Sequence, residues 1–217
     1  MLLALLAIIL SYLVGAIPSA YIVVKLVKGV DIRNYGSGNV GFTNALRVIG
    51  FVPGIIVLLA DIGKGLLAVL IISRLGNIQS NILSAYMPVL CAGSAIIGHI
   101  WTVFLKFHGG KGVATSLGIF FGLNWFAGLL ALIVWLLVVA ITRYVSLGSI
   151  LLCITFCIVV FIDRNRFFLD NINIWSIRAL GIIVTILVIY KHKGNIQRLL
   201  KGEERKFGQK VNQSEVR

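Results

Sequence analysis

Val113-Ala-Thr-Ser-Leu-Gly-Ile-Phe-Phe-Gly-Leu-Asn-Trp-Phe-Ala-Gly-Leu-Leu-Ala-Leu-Ile-Val-Trp-Leu-Leu-Val-Val-Ala-Ile-Thr142 is the stretch on which the fold turns. It runs for 30 residues without a charged side chain. A helix crossing a hydrocarbon core of ~30 Å needs only about 20 apolar residues, so the stretch is long for one span. Gly122, Asn124 and Gly128 interrupt it. It is therefore either one tilted helix or two short helices joined by a turn, and the charges on either side of it decide which.

Those charges belong to a chain of 217 residues that is 59% hydrophobic and 12% charged, with a mean hydropathy of +1.01. Such a composition excludes an ordinary soluble domain and predicts a polytopic membrane protein. Apolar runs predict helices at about 2–24, 51–73, 82–97, 147–162 and 174–190 besides the deciding stretch, with a kink at Pro18. No Lys or Arg precedes the first run, whereas Lys25 and Lys28 follow it. That pattern predicts a retained helix with its N-terminus outside rather than a cleaved signal peptide. If 113–142 were one helix, the spans would number six. Lys191, Lys193, Arg198, Lys201, Arg205, Lys206, Lys210 and Arg217 would then lie outside, against the positive-inside rule. Two helices put that tail inside. Of the 20 basic residues, 15 then fall inside and 4 outside, with Lys64 within a helix. The expected fold class is thus an all-α polytopic membrane protein of seven transmembrane helices, N-terminus outside and C-terminus cytoplasmic. A single domain, 1–205, precedes an expected mobile polar tail, 206–217. Split helices this short require tilt, shielding or a thinned bilayer.

The net charge of +13 would suggest nucleic acid in a soluble protein; here it points to cytoplasmic loops and to anionic lipid or substrate. Four polar groups fall on one side of the expected topology. The first, Gly36-Ser-Gly-Asn-Val-Gly-Phe-Thr-Asn-Ala-Leu-Arg47, combines glycines, hydroxyls and amides and closes on an arginine able to grip phosphate with two donors. The second runs from Gly98-His99 to Gly109-Gly110-Lys111-Gly112, where glycines allow backbone N–H groups to approach an anion and the lysine adds a full charge. The third is Arg143-Tyr-Val-Ser146, and the fourth His192-Lys-Gly-Asn195-Ile-Gln-Arg198. Blander readings exist for each: a connector with a snorkelling lysine, or a turn in which Thr43 or Asn44 caps the following helix. Asp61 and Lys64, at i and i+3 inside a span, form either a structural ion pair or part of the site. Lys64 is placed near the site on the second reading. Cys91, Cys153 and Cys157 lie in apolar runs and read as small hydrophobes. The seven acids are scattered and no HExxH occurs, so neither a metal nor a cofactor is expected.

Taken together, Ser37-Gly-Asn-Val-Gly-Phe-Thr-Asn-Ala-Leu-Arg47, Gly98-His99 with Phe107-His-Gly-Gly-Lys-Gly112, Arg143-Tyr-Val-Ser-Leu147, and His192-Lys-Gly-Asn195-Ile with Arg198-Leu-Leu are similar to the motifs of the bacterial acyl-phosphate:glycerol-3-phosphate acyltransferases of the inner membrane. The similarity covers essentially the whole chain. It implies a seven-helix enzyme of the cytoplasmic membrane with its site toward the cytoplasm. The implied reaction moves a fatty acyl group from acyl phosphate, not from acyl-CoA or a carrier protein, to the 1-hydroxyl of glycerol 3-phosphate. The products would be 1-acyl-glycerol 3-phosphate and phosphate, in the first step of phospholipid synthesis. The resemblance implies that Ser37, Arg47, Lys111 and Ser146 bind phosphate, that His192 and Asn195 hold glycerol 3-phosphate, and that His99 orders the second loop. His192, Lys111 and Asn195 are the catalytic candidates. Gly38, Asn39, Asn44, Lys64, Gly109, Gly110 and Gly112 complete the binding set. Thr102 replaces the family's usual proline and implies a looser turn; Lys193-Gly194 replaces Arg-Glu. The expected partners are the two substrates and membrane lipid, with no nucleic acid and no obligate protein. No His-x4-Asp motif is present, so the proton goes either to His192 or to a substrate phosphate. Two other classes fit the cationic loops: an organic-phosphate transporter, which would show repeats absent here, and a scaffold for anionic lipid.

Overall fold

The computed structural model describes residues 1–76, 81–163 and 172–209. Most of the expected loops at 74–81 and 163–173, and the tail from residue 210, lie outside these. The described residues are all-helical. The first apolar run breaks at Pro18 into α1 (Leu2–Ala16) and α2 (Ser19–Lys28). Proline lacks an N–H and disfavours helical geometry at the residue before it, and Ile17 accordingly sits at ψ 116°. The expected kink is thus a full break. Two carbonyls near it find partners from other helices: Ala16 O accepts from Thr102 Oγ1 at 2.6 Å, and Ile17 O from Lys64 Nζ at 3.1 Å.

A short amphipathic helix, α3 (Phe42–Ile49), follows the first polar loop and turns at Gly50 into α4 (Phe51–Leu67). A π-helical stretch, Ala68–Ile72, and a last turn, Ser73–Leu75, prolong α4. After a single turn at Asn81–Ser84 come α5 (Met87–Ile100), α6 (Val113–Leu123), α7 (Trp125–Thr142), α8 (Val145–Ile162), α9 (Ile174–Lys191) and the surface helix α10 (Lys193–Leu200).

The deciding stretch is two helices. They meet at Asn124, whose backbone is extended at φ −150°, ψ 97°. Its side chain accepts the Ala127 N–H at 2.8 Å, an N-cap for α7, and donates to Asp163 Oδ2 at 2.8 Å. One side chain thereby starts α7 and ties the break to the end of α8. Among the described residues, six helical segments, Leu2–Lys28, Phe51–Leu75, Met87–Leu105, Trp125–Thr142, Val145–Ile162 and Ile174–Lys191, are long and apolar enough to cross a membrane, and α6 is a shorter apolar one.

At 1.5 Å per residue, α6 reaches only about 16 Å. Its neighbours shield it, and most of its side chains, from Thr115 to Leu123, are buried. Small residues bring α4 and α6 into backbone contact: a Cβ at Gly118 would collide with the Ile62 carbonyl, and one at Gly65 with the Thr115 carbonyl. Phe120 of α6 stacks on Phe156 of α8, centroids 3.6 Å apart. Ile133, Leu136, Leu137 and Ile141 of α7 are instead exposed, an apolar outer face suited to lipid.

Candidate active site

The four polar groups of the sequence meet at one end of the bundle, around a cavity of about 1310 Å³. The 36–47 loop forms the first wall. Gly36 and Gly38 adopt positive φ there, at 60° and 70°, conformations that favour glycine. Asn44, fully buried, knits the loop. Its Oδ1 accepts the Ser37 N–H at 3.1 Å, and its Nδ2 donates to the carbonyls of Tyr35 and Asn39 at 3.0 and 3.1 Å. Asn44 spends its amide on the loop itself, so it shapes the wall. Ser37, Gly38, Asn39 and Arg47 line the cavity with it.

The second wall follows α5. Thr102, buried at the turn, accepts the Phe104 N–H at 3.2 Å while donating to Ala16 O. The looser turn expected at this position is in fact pinned from both sides. The Gly109 and Gly110 N–H groups donate back to Ile100 O and His99 O, each at 3.1 Å. These two donors therefore cap the end of α5 and do not point at a ligand. The two glycines serve close approach instead: a Cβ at Gly109 would collide with the His99 carbonyl, and one at Gly110 with His99 Nε2. Gly110 is not among the lining residues, whereas Gly109, Lys111 and Gly112 are. Gly112, at φ +86°, turns the chain into α6. Val113 and Ala114 also line the cavity, so the open first turn of α6 borders it.

Lys111 reaches across to the fourth group and donates to Asn195 Oδ1. Asn195 Nδ2 donates in turn to Glu204 Oε1 at 2.6 Å, and Arg198 Nε to Glu204 Oε2 at 2.8 Å. Glu204 is buried and lines the cavity, and sequence reasoning missed it. Its one signal was an acid set among the tail's basic residues. The chain brings it in by folding back over the α7–α8 turn, where Phe207 N donates to Arg143 O at 2.7 Å and Arg143 Nη2 to Phe207 O at 2.9 Å. Phe207, within the tail expected to be mobile, thus lies against that turn. Ser146 Oγ is buried beside Glu204 and makes no hydrogen bond of standard geometry.

The electrostatics follow from this crowding. Burial pushes the Lys111 ammonium down to about 8; Glu204 opposes the fall, and Arg198 and Arg47 deepen it. Burial raises the Glu204 carboxyl, but the polar groups of Asn195, Ser146 and Arg198 outweigh it and hold the acid below its ordinary range. His192 caps α9 with Nδ1 at 2.8 Å from Val188 O. A carbonyl only accepts, so Nδ1 carries the proton and Nε2 keeps its lone pair. Burial, and then the Lys111 charge, push this imidazole down to about 4, so it is neutral at ordinary pH.

Two other expected site residues sit below this ring. His99, buried, is 3.2 Å from Thr115 Oγ1 through Nδ1, and its ring packs under Gly110. Lys64 is not among the lining residues; it pairs with Asp61 at 2.8 Å. Leu58, Leu117, Phe121, Leu132, Trp135 and Leu152 give the cavity an apolar side between α4, α6, α7 and α8.

The chain matches known proteins over nearly its whole length. The profile of the family described as Glycerol-3-phosphate acyltransferase matches residues 5–202. A glycerol-3-phosphate acyltransferase of Prochlorococcus marinus (strain MIT 9312) is 43% identical, the match covering 94% of this chain and 98% of that protein. One from Clostridioides difficile (strain 630) is 44% identical, covering 93% and 94%. The crystal structure of PlsY (YgiH), an integral membrane glycerol 3-phosphate acyltransferase, in its glycerol 3-phosphate form superimposes with a TM-score of 0.82 at 38% identity, covering 94% of this chain and 96% of that one. Its lysophosphatidic acid form gives 0.80 at 36% identity, covering 94% and 95%. The match runs through all four walls of the cavity, and the chain belongs to the glycerol-3-phosphate acyltransferase family.

Proposed function

We propose that this protein transfers a fatty acyl group from acyl phosphate to the 1-hydroxyl of glycerol 3-phosphate, releasing 1-acyl-glycerol 3-phosphate and inorganic phosphate. The observation that carries the reading is a single cavity with a cationic end, bearing Lys111, Arg47 and Arg198, and an apolar side on α4, α6, α7 and α8. Both substrates bear phosphate, and one bears a long apolar chain. The forms of PlsY with glycerol 3-phosphate and lysophosphatidic acid support the acceptor and the product.

In this reading Arg47, Lys111, Ser37 and Ser146 hold phosphate oxygens, the Ser146 hydroxyl doing so from its place beside Glu204 in the cavity wall. Gly38, Asn39, Gly109 and Gly112 let the backbone come close to them. Asn195, aligned by Glu204, and His192 hold glycerol 3-phosphate. The neutral His192 Nε2 accepts a hydrogen bond from the 1-hydroxyl and turns its oxygen toward the acyl carbon. As the hydroxyl oxygen bonds to that carbon, the carbon–oxygen bond to phosphate breaks and its electron pair stays on the departing phosphate. Lys111 and Arg47 stabilise the charge gathering there. Burial and the Lys111 charge disfavour a protonated His192, so in this reading the proton ends on phosphate.

The seven-span topology, with the N-terminus outside and the site toward the cytoplasm of a bacterial inner membrane, belongs to the same proposal. It is supported by the break at Asn124, which makes α6 a separate apolar helix. The test is phosphate release by purified protein in detergent. Release that requires both acyl phosphate and glycerol 3-phosphate, and fails with acyl-CoA, supports the reading. Equal turnover with acyl-CoA overturns the donor. A pH–rate profile with a step in the histidine range that disappears in His192→Gln overturns the proton assignment.

A further inference from the structure

Asp61 is a carboxylate inside a membrane span, and the mechanism above leaves it without a task. Such groups are costly in a membrane and rarely idle. It is 2% exposed and lines the cavity at its floor. Lys64, one turn further along α4, stands 2.8 Å from Asp61 Oδ1 and donates to the Ile17 carbonyl at the break between α1 and α2. The same Asp61 oxygen is 3.8 Å from His99 Nδ1, which also meets Thr115 Oγ1 at 3.2 Å. On the other edge of the ring, Nε2 lies where a Cβ of Gly110 would be, and that Cβ would also come within 2.7 Å of the Val40 carbonyl. Above the ring, the His99 carbonyl accepts the Gly110 N–H at 3.1 Å. The ring therefore fills the space between the carboxylate and the residue preceding Lys111.

We propose that Asp61 is a positioning residue: its ion pair with Lys64 holds the His99 ring, and the ring sets the height at which the Gly109–Gly112 loop presents Lys111 to the substrates. The proposal rests on the acyl-transfer reading above. Its physical basis is that the three side chains are buried together, with Lys64 Nζ at 2.8 Å and His99 Nδ1 at 3.8 Å from the same Asp61 oxygen. Lys64 fixes the carboxylate by anchoring the pair to the backbone of another helix. The carboxylate beside Nδ1 selects the imidazole tautomer with its proton there. The absent Cβ of Gly110 lets ring and loop meet without a gap. A displacement of the ring moves Lys111, and displacements of about 1 Å in a reacting group cost up to ~10²-fold in rate.

Acid and base each offset the other's burial. Removing one partner leaves an unpaired buried charge, whereas removing both can be neutral for folding. That asymmetry supplies the test. Asp61→Asn/Lys64→Met, purified as a monodisperse protein, is assayed with acyl phosphate and glycerol 3-phosphate. The expected result is kcat about tenfold lower or more, with KM for glycerol 3-phosphate within about threefold of wild type, as a displaced transition-state contact requires. Wild-type kcat in the folded double variant, or a loss confined to KM, overturns the proposal. A second measurement does not need the double variant. In 15N-imidazole spectra the three histidine signals are assigned with His108→Gln and His192→Gln, which leaves that of His99. Protonation at Nδ1 is expected, and protonation at Nε2 overturns the proposal even if the double variant fails to fold. If wild type turns over neither substrate, the acyl-transfer reading fails, and the 15N spectrum still decides the tautomer on which the positioning rests.

Discussion

The 36–47 loop and the 109–112 loop use glycine for opposite ends. In the first, Gly36 and Gly38 take positive φ, and the loop's shape is fixed by a side chain, the buried amide of Asn44. In the second, Gly109 and Gly110 take ordinary φ and matter for what they lack, a Cβ that would strike His99. Their N–H groups are already committed to the end of α5. A glycine-rich run beside a cation therefore does not by itself make a nest of free donors. In the proposed reaction the anion is held by the side chains of Lys111 and Arg47 and by the open first turn of α6.

The comparison can be broken by substitution. The largest expected effect is that of Lys111→Met. If the side chain rather than the backbone carries the charge, phosphate release falls about 10²–10³-fold, the scale of one lost electrostatic transition-state contact, while the protein stays folded. Retained turnover would restore the nest reading. Gly110→Ala comes next: the added methyl drives ring and loop apart, and kcat falls up to about 10²-fold. Rates near wild type would mean that the close approach is incidental.

The pH dependence is smaller and has a definite sign. Because Lys111 titrates near 8 in the folded protein, against an ordinary 10.5, turnover declines as pH rises through 8. Stability responds in the other direction. Between 8 and 10.5 the unfolded chain binds more protons at this lysine than the folded one, so its contribution to stability rises with pH. Rate and thermal unfolding measured on one pH series separate the two. The smallest effect is that of Gly38→Ala, where φ +70° and the Arg33 carbonyl at 3.1 Å from the new Cβ cost about 1–2 kcal/mol of loop stability. It is read as a modest rise in KM with kcat nearly intact.

Much of this was legible in the sequence because it depends on local chemistry and on counting charges. Gly122, Asn124 and Gly128 marked a breakable stretch, and the basic tail argued for breaking it; the chain does so at Asn124. Placing the polar loops on one side was enough to bring Arg47, Lys111, Ser146, His192 and Asn195 to one cavity. What escaped depends on which elements become neighbours. Lys64 was expected near the substrates, but the Pro18 break turns the Ile17 carbonyl within its reach. Glu204 is held in the cavity by Asn195 and Arg198, where the chain folds back to pair Phe207 with Arg143, 64 residues away. Thr102 looked like a weakened turn because its partner, the Ala16 carbonyl, lies 86 residues back.

The break at Pro18 has a practical side for protein engineering. Residues 1–24 carry no charged side chain, yet much of α1 is fitted to the rest of the bundle. Ile8 O receives Ser94 Oγ, Tyr12 donates to Trp101 O, and Ala16 and Ile17 supply carbonyls to Thr102 and Lys64. Gly15 and Gly98 let α1 and α5 touch backbone to backbone. A purification tag is therefore best placed ahead of the exposed Met1. Exchanging the helix itself for a stronger membrane-targeting sequence would strip supports from the catalytic end, even though the foreign helix inserted well.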